Sequence, residues 1–130
     1  MATIMWAAAI LAAGIHVLIF CFESLWWTTP GVRRRFRQTE EQAQTTKLLA
    51  FNQGFYNLFL ALGVVGGLGL ILMGHRRLGL ILVGWSCVSM LAAAVVLAVS
   101  SPRMIRGAVI QGAPPLVFLV IVAFRALTRV

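Results

Sequence analysis

Four long apolar segments follow one another along the chain, separated by short stretches that hold most of the charged residues. They predict helices over about residues 4–27, 40–73, 78–99 and 102–127, the second of which becomes apolar at about Leu48. A helix needs about 20 mainly apolar residues to cross the hydrocarbon core of a bilayer, and it satisfies its own backbone hydrogen bonds there. The pattern therefore predicts an all-α fold, an integral membrane four-helix bundle in a single transmembrane domain of residues 1–130.

The connections predict how the helices are arranged. Residues 74–77 and 100–103 form tight links, and short links make neighbouring helices antiparallel. The first loop is the longest, and Thr39 with Gln42 three residues later matches a capping box. We therefore expect the second helix to begin near Glu40, in water, and to extend into the cytoplasm before it enters the bilayer.

Composition and charge agree with this class of protein. The chain is 61% hydrophobic and 11% charged, whereas soluble domains average about 45–50% and about 25%. The net charge of +8 comes from Lys and Arg residues that lie between the apolar segments or at the end of the last one. That placement is typical of membrane topology rather than of nucleic-acid binding, so no nucleic-acid partner is expected.

The distribution of Lys and Arg predicts the orientation. Loop one carries five and loop three two, which makes seven on one side of the membrane. Loop two and the carboxyl end carry two each and the amino end none, which makes four on the other side. Because Lys and Arg concentrate on the cytoplasmic side, we expect loop one in the cytoplasm and both termini outside.

Polar residues inside the apolar segments are candidates for function, because they are costly in a membrane. His16 and Glu23 are seven residues apart, so they share a helix face. By helical rise, the polar residues of the first, second and fourth helices fall in the bilayer half next to loop one. The candidates are His16, Glu23, Trp26, Asn52, Gln53, Tyr56, Asn57 and Gln111.

Two structural interpretations of this cluster remain open. In the first, His16, Glu23, Gln53, Asn57 and Gln111 point into one shared cavity, with the third helix as its apolar wall. In the second, the same side chains pair off in a closed hydrogen-bonded knot that only holds the helices together. Unpaired polar groups cost several kcal/mol in hydrocarbon, so both interpretations make them converge.

Three motifs resemble a family of small bacterial membrane proteins, domain-of-unknown-function family 1304. They are residues 26–30 (Trp-Trp-Thr-Thr-Pro), residues 52–57 (Asn-Gln-Gly-Phe-Tyr-Asn), and residues 111–114, in which Gln-Gly is followed by Pro after one intervening residue. The resemblance covers essentially the whole chain. It implies a four-helix protein of the bacterial inner membrane and no particular activity. The polar lining is also similar in composition to membrane sterol isomerases of the emopamil-binding type, without a shared motif.

The leading functional hypothesis is a polar intramembrane cavity that binds a lipophilic small molecule. His16 and Glu23 would be the catalytic residues of an acid–base reaction, isomerase-like or hydrolase-like. The ligand-binding residues would be Trp26, Asn52, Gln53, Tyr56, Asn57 and Gln111. No metal site and no cofactor are expected, because the two cysteines and two histidines lack ligand spacing.

Two alternatives come from other classes of protein. The chain would be an accessory or structural subunit of a larger membrane complex, with helices three and four and the glycine-rich half of helix two as packing surfaces. Alternatively it would form a proton or small-solute pathway, which for so short a chain implies a homo-oligomer. Membrane lipids are expected partners in every case. Whether the protein is an enzyme stays open at this point.

Overall fold

The computed structural model describes residues 1–128, and this part of the chain is almost entirely helical. Arg129, counted above at the carboxyl end, lies outside the described residues. The principal elements are five α-helices, of which the first continues directly into a π-helical turn, Cys21–Leu25, and the last follows a 3-10 turn, Pro102–Met104. The helices are α1 (Ala2–Phe20), α2 (Pro30–Phe36), α3 (Glu40–Leu72), α4 (Arg76–Ser100) and α5 (Ile105–Leu127).

Four helical stretches are long and apolar enough to cross a membrane. They are Ala2–Leu25, Glu40–Leu72, Arg76–Ser100 and Pro102–Leu127, with mean hydropathies of 2.0 to 2.4. The all-α class and the four apolar helices are as predicted. The composition and these helices are those of a membrane protein.

Helix α2 lies in the segment that the sequence predicts to be a loop. The structure instead begins a helix there. Thr29 precedes it in an extended conformation and Pro30 occupies the first turn, where the missing N–H of proline costs nothing and its φ suits a helix. Arg37 ends α2 in the left-handed region, with φ 55°.

The start of α3 carries the capping box. The Thr39 hydroxyl oxygen accepts from the Gln42 backbone N–H at 3.2 Å, and the Thr39 N–H donates to Gln42 Oε1 at 2.9 Å. The ion pair between Arg33 and Glu40 (3.2 Å) links α2 to this first turn. With 33 residues, α3 is about 50 Å long, more than the hydrocarbon core of about 30 Å requires.

The four long helices pack in a ring. Helix α1 contacts α3 and α5, and α4 contacts the same two helices from the other side. The core between them combines alanines of α1 with larger side chains of the other helices, such as Val64, Val83, Met90 and Phe118, all fully buried. Small residues at helix interfaces let backbones approach closely, so the alanine face of α1 brings it close to its neighbours.

Candidate functional site

The end of α1 changes from α-helical to π-helical geometry just where the polar residues begin. The turn covers Cys21–Leu25, and the Trp26 N–H closes it by donating to the Cys21 carbonyl at 2.9 Å. Single π-turns of this kind are uncommon in proteins. Those that occur often lie at functional sites. Here the turn directs two successive side chains, Glu23 and Ser24, onto α3.

The Glu23 carboxylate meets an amide from α3. Asn57 Nδ2 donates to Glu23 Oε2 at 2.9 Å and to the Gln53 backbone carbonyl at 3.1 Å. Glu23 is 6% exposed. The pair is a direct hydrogen bond between two candidates from different helices.

Ser24 and Gly54 make the close contact that supports this pair. The Ser24 hydroxyl donates to the Phe51 carbonyl at 2.9 Å. A Cβ added at Gly54 would collide with Ser24 Oγ and would lie 3.1 Å from the Ser24 nitrogen and from Glu23 Cβ. Sequence reasoning missed both residues. The available signal was a glycine flanked by polar residues in the motif at 52–57, which is typical of close backbone approach.

His16 is fully buried. Its Nδ1 lies 2.9 Å from the Ala12 carbonyl, and since a carbonyl can only accept, Nδ1 carries the hydrogen and donates it. In the neutral ring Nε2 is then an acceptor. Within residues 1–128 no hydrogen-bond partner reaches it. The site therefore contains a buried imidazole lone pair without a donor.

The remaining candidates do not join this pair. Asn52, Gln53 and Tyr56 are exposed on the outer side of α3, Tyr56 to 68%. Trp26 is 46% exposed and packs beside Phe22.

The expectation that the Gln53 side chain faces the interior with Glu23 is wrong. The buried positions of α3 include Ala50, Gly54 and Ala61. Gln53 is not among them, and its side chain is exposed. Its backbone carbonyl, rather than its amide, takes part in the site. Gln111 lies half-buried on α5, before the buried Gly112.

Three cavities in the described part of the chain lie away from the candidate residues. None of these three is lined by any of the eight. Across residues 1–128, no three His, Cys, Asp or Glu side chains come together as metal ligands. The geometry is thus a hydrogen-bonded contact of the π-turn with α3, together with a buried His16 nitrogen that has no partner within residues 1–128.

The outer side of α3 exposes polar as well as apolar side chains. Asn52 Nδ2 donates back to the Leu48 carbonyl at 3.0 Å, but within the described residues the Gln53 amide and the Tyr56 hydroxyl make no hydrogen bond. Tyr56 lies ten residues beyond Thr46, where Trp27 Nε1 donates to the threonine hydroxyl at 3.1 Å. At helical rise this is about 15 Å along α3, and Tyr56 lies at the midpoint of this helix, Glu40–Leu72.

Comparison with known proteins places the chain in a family. No curated protein and no solved structure matches it. The family model described as "Protein of unknown function (DUF1304)" matches residues 10–123. This range contains the π-turn, the motif at 52–57 and Gln111. With nearly the whole chain matched, the protein belongs to the DUF1304 family.

Proposed function

We propose that the protein is a structural subunit of a larger membrane complex, and that it binds a partner helix through the outer side of α3. We call this surface, formed by Asn52, Gln53 and Tyr56, the polar face of α3. The observation that carries the proposal is the exposure of these three polar side chains inside the apolar part of the helix.

A polar group without a hydrogen-bond partner is unfavourable in hydrocarbon. Lipid tails offer neither donors nor acceptors, so an amide or hydroxyl there finds a partner in protein or water. Tyrosine is enriched at the membrane interfaces, where its hydroxyl reaches water. Tyr56 instead lies at the midpoint of α3. A neighbouring helix with hydrogen-bonding side chains would satisfy these groups, as such side chains do in membrane helix packing.

The packing of α3 also supports this surface. Of the residues in the apolar window of α3, 17% are buried, against 28–33% in the windows of the other three spans. Helix α3 is therefore the span least covered by the rest of the chain. Gly63 and Gly67, in the glycine-rich half of α3, both pack against α4. They are therefore not available to a partner helix.

The proposed arrangement in the membrane follows the charge distribution. Neighbouring spans run antiparallel, the amino-terminal part of α3 extends into the cytoplasm with loop one, and both termini are outside. This is supported by the five Lys and Arg residues of loop one. It is also supported by the cleft that Arg37 of loop one and Arg103 of loop three line together, which brings both loops to one end.

Purification in mild detergent tests the subunit proposal. The wild-type chain should retain a different membrane protein in stoichiometric amount, identified by mass spectrometry. The double variant Gln53→Leu/Tyr56→Phe should lose it, because both removed groups face the partner. The control Val96→Leu, at an exposed apolar position of α4, should keep it. Retention of nothing but lipid, or of a second copy of this chain alone, would contradict the accessory-subunit proposal.

A second candidate function is favoured by His16. Its buried Nε2 would accept a hydrogen bond from the hydroxyl or amine of a lipophilic molecule, with Glu23 and Asn57 further along the same helix contact. His16 and Glu23 would then supply acid–base chemistry. Organic extraction of purified protein should yield a lipophile in stoichiometric amount from wild type and none from His16→Phe. Equal extracts from both would sink this candidate.

A further inference from the structure

A polar cleft opens at the end of the bundle formed by loops one and three. It lies between the end of α2 and the connection from α4 to α5, with a volume of about 480 Å³. Its walls include Phe36, Arg37, Ser100, Ser101 and Arg103. We propose that this cleft binds the phosphate group of an anionic phospholipid, independently of the polar face of α3.

The two arginines give the cleft an uncompensated positive charge. The whole sequence has three acidic residues: Glu23 is buried against Asn57, Glu40 pairs with Arg33, and Glu41 sits in the first turn of α3. In residues 1–128 neither Arg37 nor Arg103 forms an ion pair. Both side chains are exposed, so the cleft presents a positive charge that attracts anions.

The chemistry of the lining fits a phosphate. Guanidinium groups bind phosphate oxygens through paired N–H donors, and Ser100 and Ser101 add hydroxyl donors beside them. The backbone holds Arg37 in place, since the Gln38 N–H donates to the Arg33 carbonyl at 2.9 Å and closes the end of α2. The two arginines come from separate loops, so they can approach a phosphate from different directions.

A shallow, open apolar groove on the surface of α5 follows the cleft along the chain and favours a lipid as the source of the phosphate. Ile105, Val109 and Ile110 line this groove together with Arg106, with a volume of about 350 Å³. Met104 lines the cleft and Ile105 begins the groove, so the two adjoin along the chain. A headgroup in the cleft would place an acyl chain along α5. A free phosphate would use only the cleft.

The position in the bundle suits a headgroup. The cleft lies where α4 ends and α5 begins, at the end of the molecule that carries the arginines of α2. Basic pockets between membrane helices on the cytoplasmic side bind the headgroups of anionic lipids. Phe36, which lines the cleft, packs against Trp27 with ring centroids 4.9 Å apart, and tryptophan is enriched at membrane interfaces.

Native mass spectrometry of the purified full chain tests the assignment. The protein is reconstituted in nanodiscs that mix phosphatidylglycerol and phosphatidylcholine, released, and scored for retained lipid. Wild type should retain phosphatidylglycerol over phosphatidylcholine. Arg37→Gln/Arg103→Gln should lower that retention about 30-fold, the factor expected from two lost arginine contacts. The control Arg34→Gln/Arg77→Gln removes two exposed arginines outside the cleft and should retain the lipid as wild type does.

A second variant separates a lipid from a free anion. Val109→Trp fills the groove and leaves the cleft arginines in place, so it should weaken phosphatidylglycerol retention several-fold. Inorganic phosphate at millimolar concentration should not displace the lipid. Circular dichroism checks that each variant is folded, and Arg37→Lys/Arg103→Lys, which keeps the charge, should restore part of the binding. Equal loss in the control pair, no preference for phosphatidylglycerol, or displacement by phosphate would overturn the proposal.

Discussion

At the scale of single residues, the pairing of Glu23 with Asn57 joins the π-turn at the end of α1 to α3. Glu23 is buried on a helix that offers it no other hydrogen bond among the described residues. Asn57 divides its amide between this carboxylate and the Gln53 carbonyl. A buried carboxyl group that loses its only donor bears the cost of desolvation. Asn57 is therefore a position at which a small change should affect the whole helix pair.

We expect Asn57→Leu to lower the free energy of unfolding by roughly 1–2 kcal/mol, the upper range for hydrogen bonds between membrane helices. Reversible unfolding in mixed micelles of mild detergent and dodecyl sulfate measures it. Asn52→Leu is the matched control, because Asn52 bonds only its own helix, and its effect should stay within about 0.5 kcal/mol. Equal effects of the two substitutions would contradict a specific role for Asn57.

Residue-level prediction from the sequence reached the polar candidates but not their directions. His16 and Glu23 are both buried, as expected for polar residues that avoid lipid. Gln53 and Asn57 stack, yet the structure exposes the amide of Gln53 and turns that of Asn57 inward. A period of 3.6 residues fixes relative angles within one helix, whereas the rotation of that helix depends on its neighbours. The π-turn changes those angles again for Glu23 and Ser24.

At the scale of helices, glycines set how closely α3 approaches its neighbours. Gly54 meets the π-turn on one side, and Gly67 meets α4 on the other. A Cβ at Gly67 would lie 2.6 Å from Val83 Cγ2 and 2.8 Å from the Gly79 carbonyl. Because one of these contacts is with the backbone of α4, a Cβ at Gly67 would require α3 and α4 to move apart. The sequence predicts the glycine-rich half of α3 as a packing surface, and the structure packs Gly63 and Gly67 against α4.

Gly67→Ala should therefore destabilise the fold by about 1–3 kcal/mol, the usual cost of overpacking. Gly69→Ala provides the control on the same helix, because a Cβ at Gly69 would meet nothing within 4 Å. That substitution should instead stabilise α3 by up to about 1 kcal/mol through helix propensity. Unfolding in the same mixed micelles compares the two. Stabilisation by both would show that α3 and α4 do not pack as closely as the structure has them.

Helix α2 shows where prediction of elements from sequence stopped. Its seven residues are rich in arginine and carry no long apolar stripe, so hydrophobic periodicity gave no signal. Contacts with the rest of the chain hold it instead, through Phe36 on Trp27 and Arg33 on Glu40. The capping box of α3, by contrast, is local in sequence and could be identified without any knowledge of the neighbours.

At the scale of the whole molecule, charge and exposure determine how the chain sits in the membrane and what it meets there. The orientation with loop one in the cytoplasm is tested by cysteine labelling in intact cells, in a background of Cys21→Ala. An impermeant thiol reagent should label His75→Cys and should reach Gln44→Cys only after permeabilisation. Both positions are exposed in the structure. Labelling of Gln44→Cys in intact cells would reverse the proposed orientation.

Photo-crosslinking from the polar face of α3 tests the central claim most directly. A photoreactive amino acid is placed at position 53 or 56 in the full chain and irradiated in native membranes. Position 96, exposed on α4, serves as the control. If a partner helix covers Gln53 and Tyr56, both positions should give one discrete adduct with the same membrane protein, and position 96 should give none. Adducts with lipid alone at 53 and 56, or the same pattern from position 96, would contradict the claim.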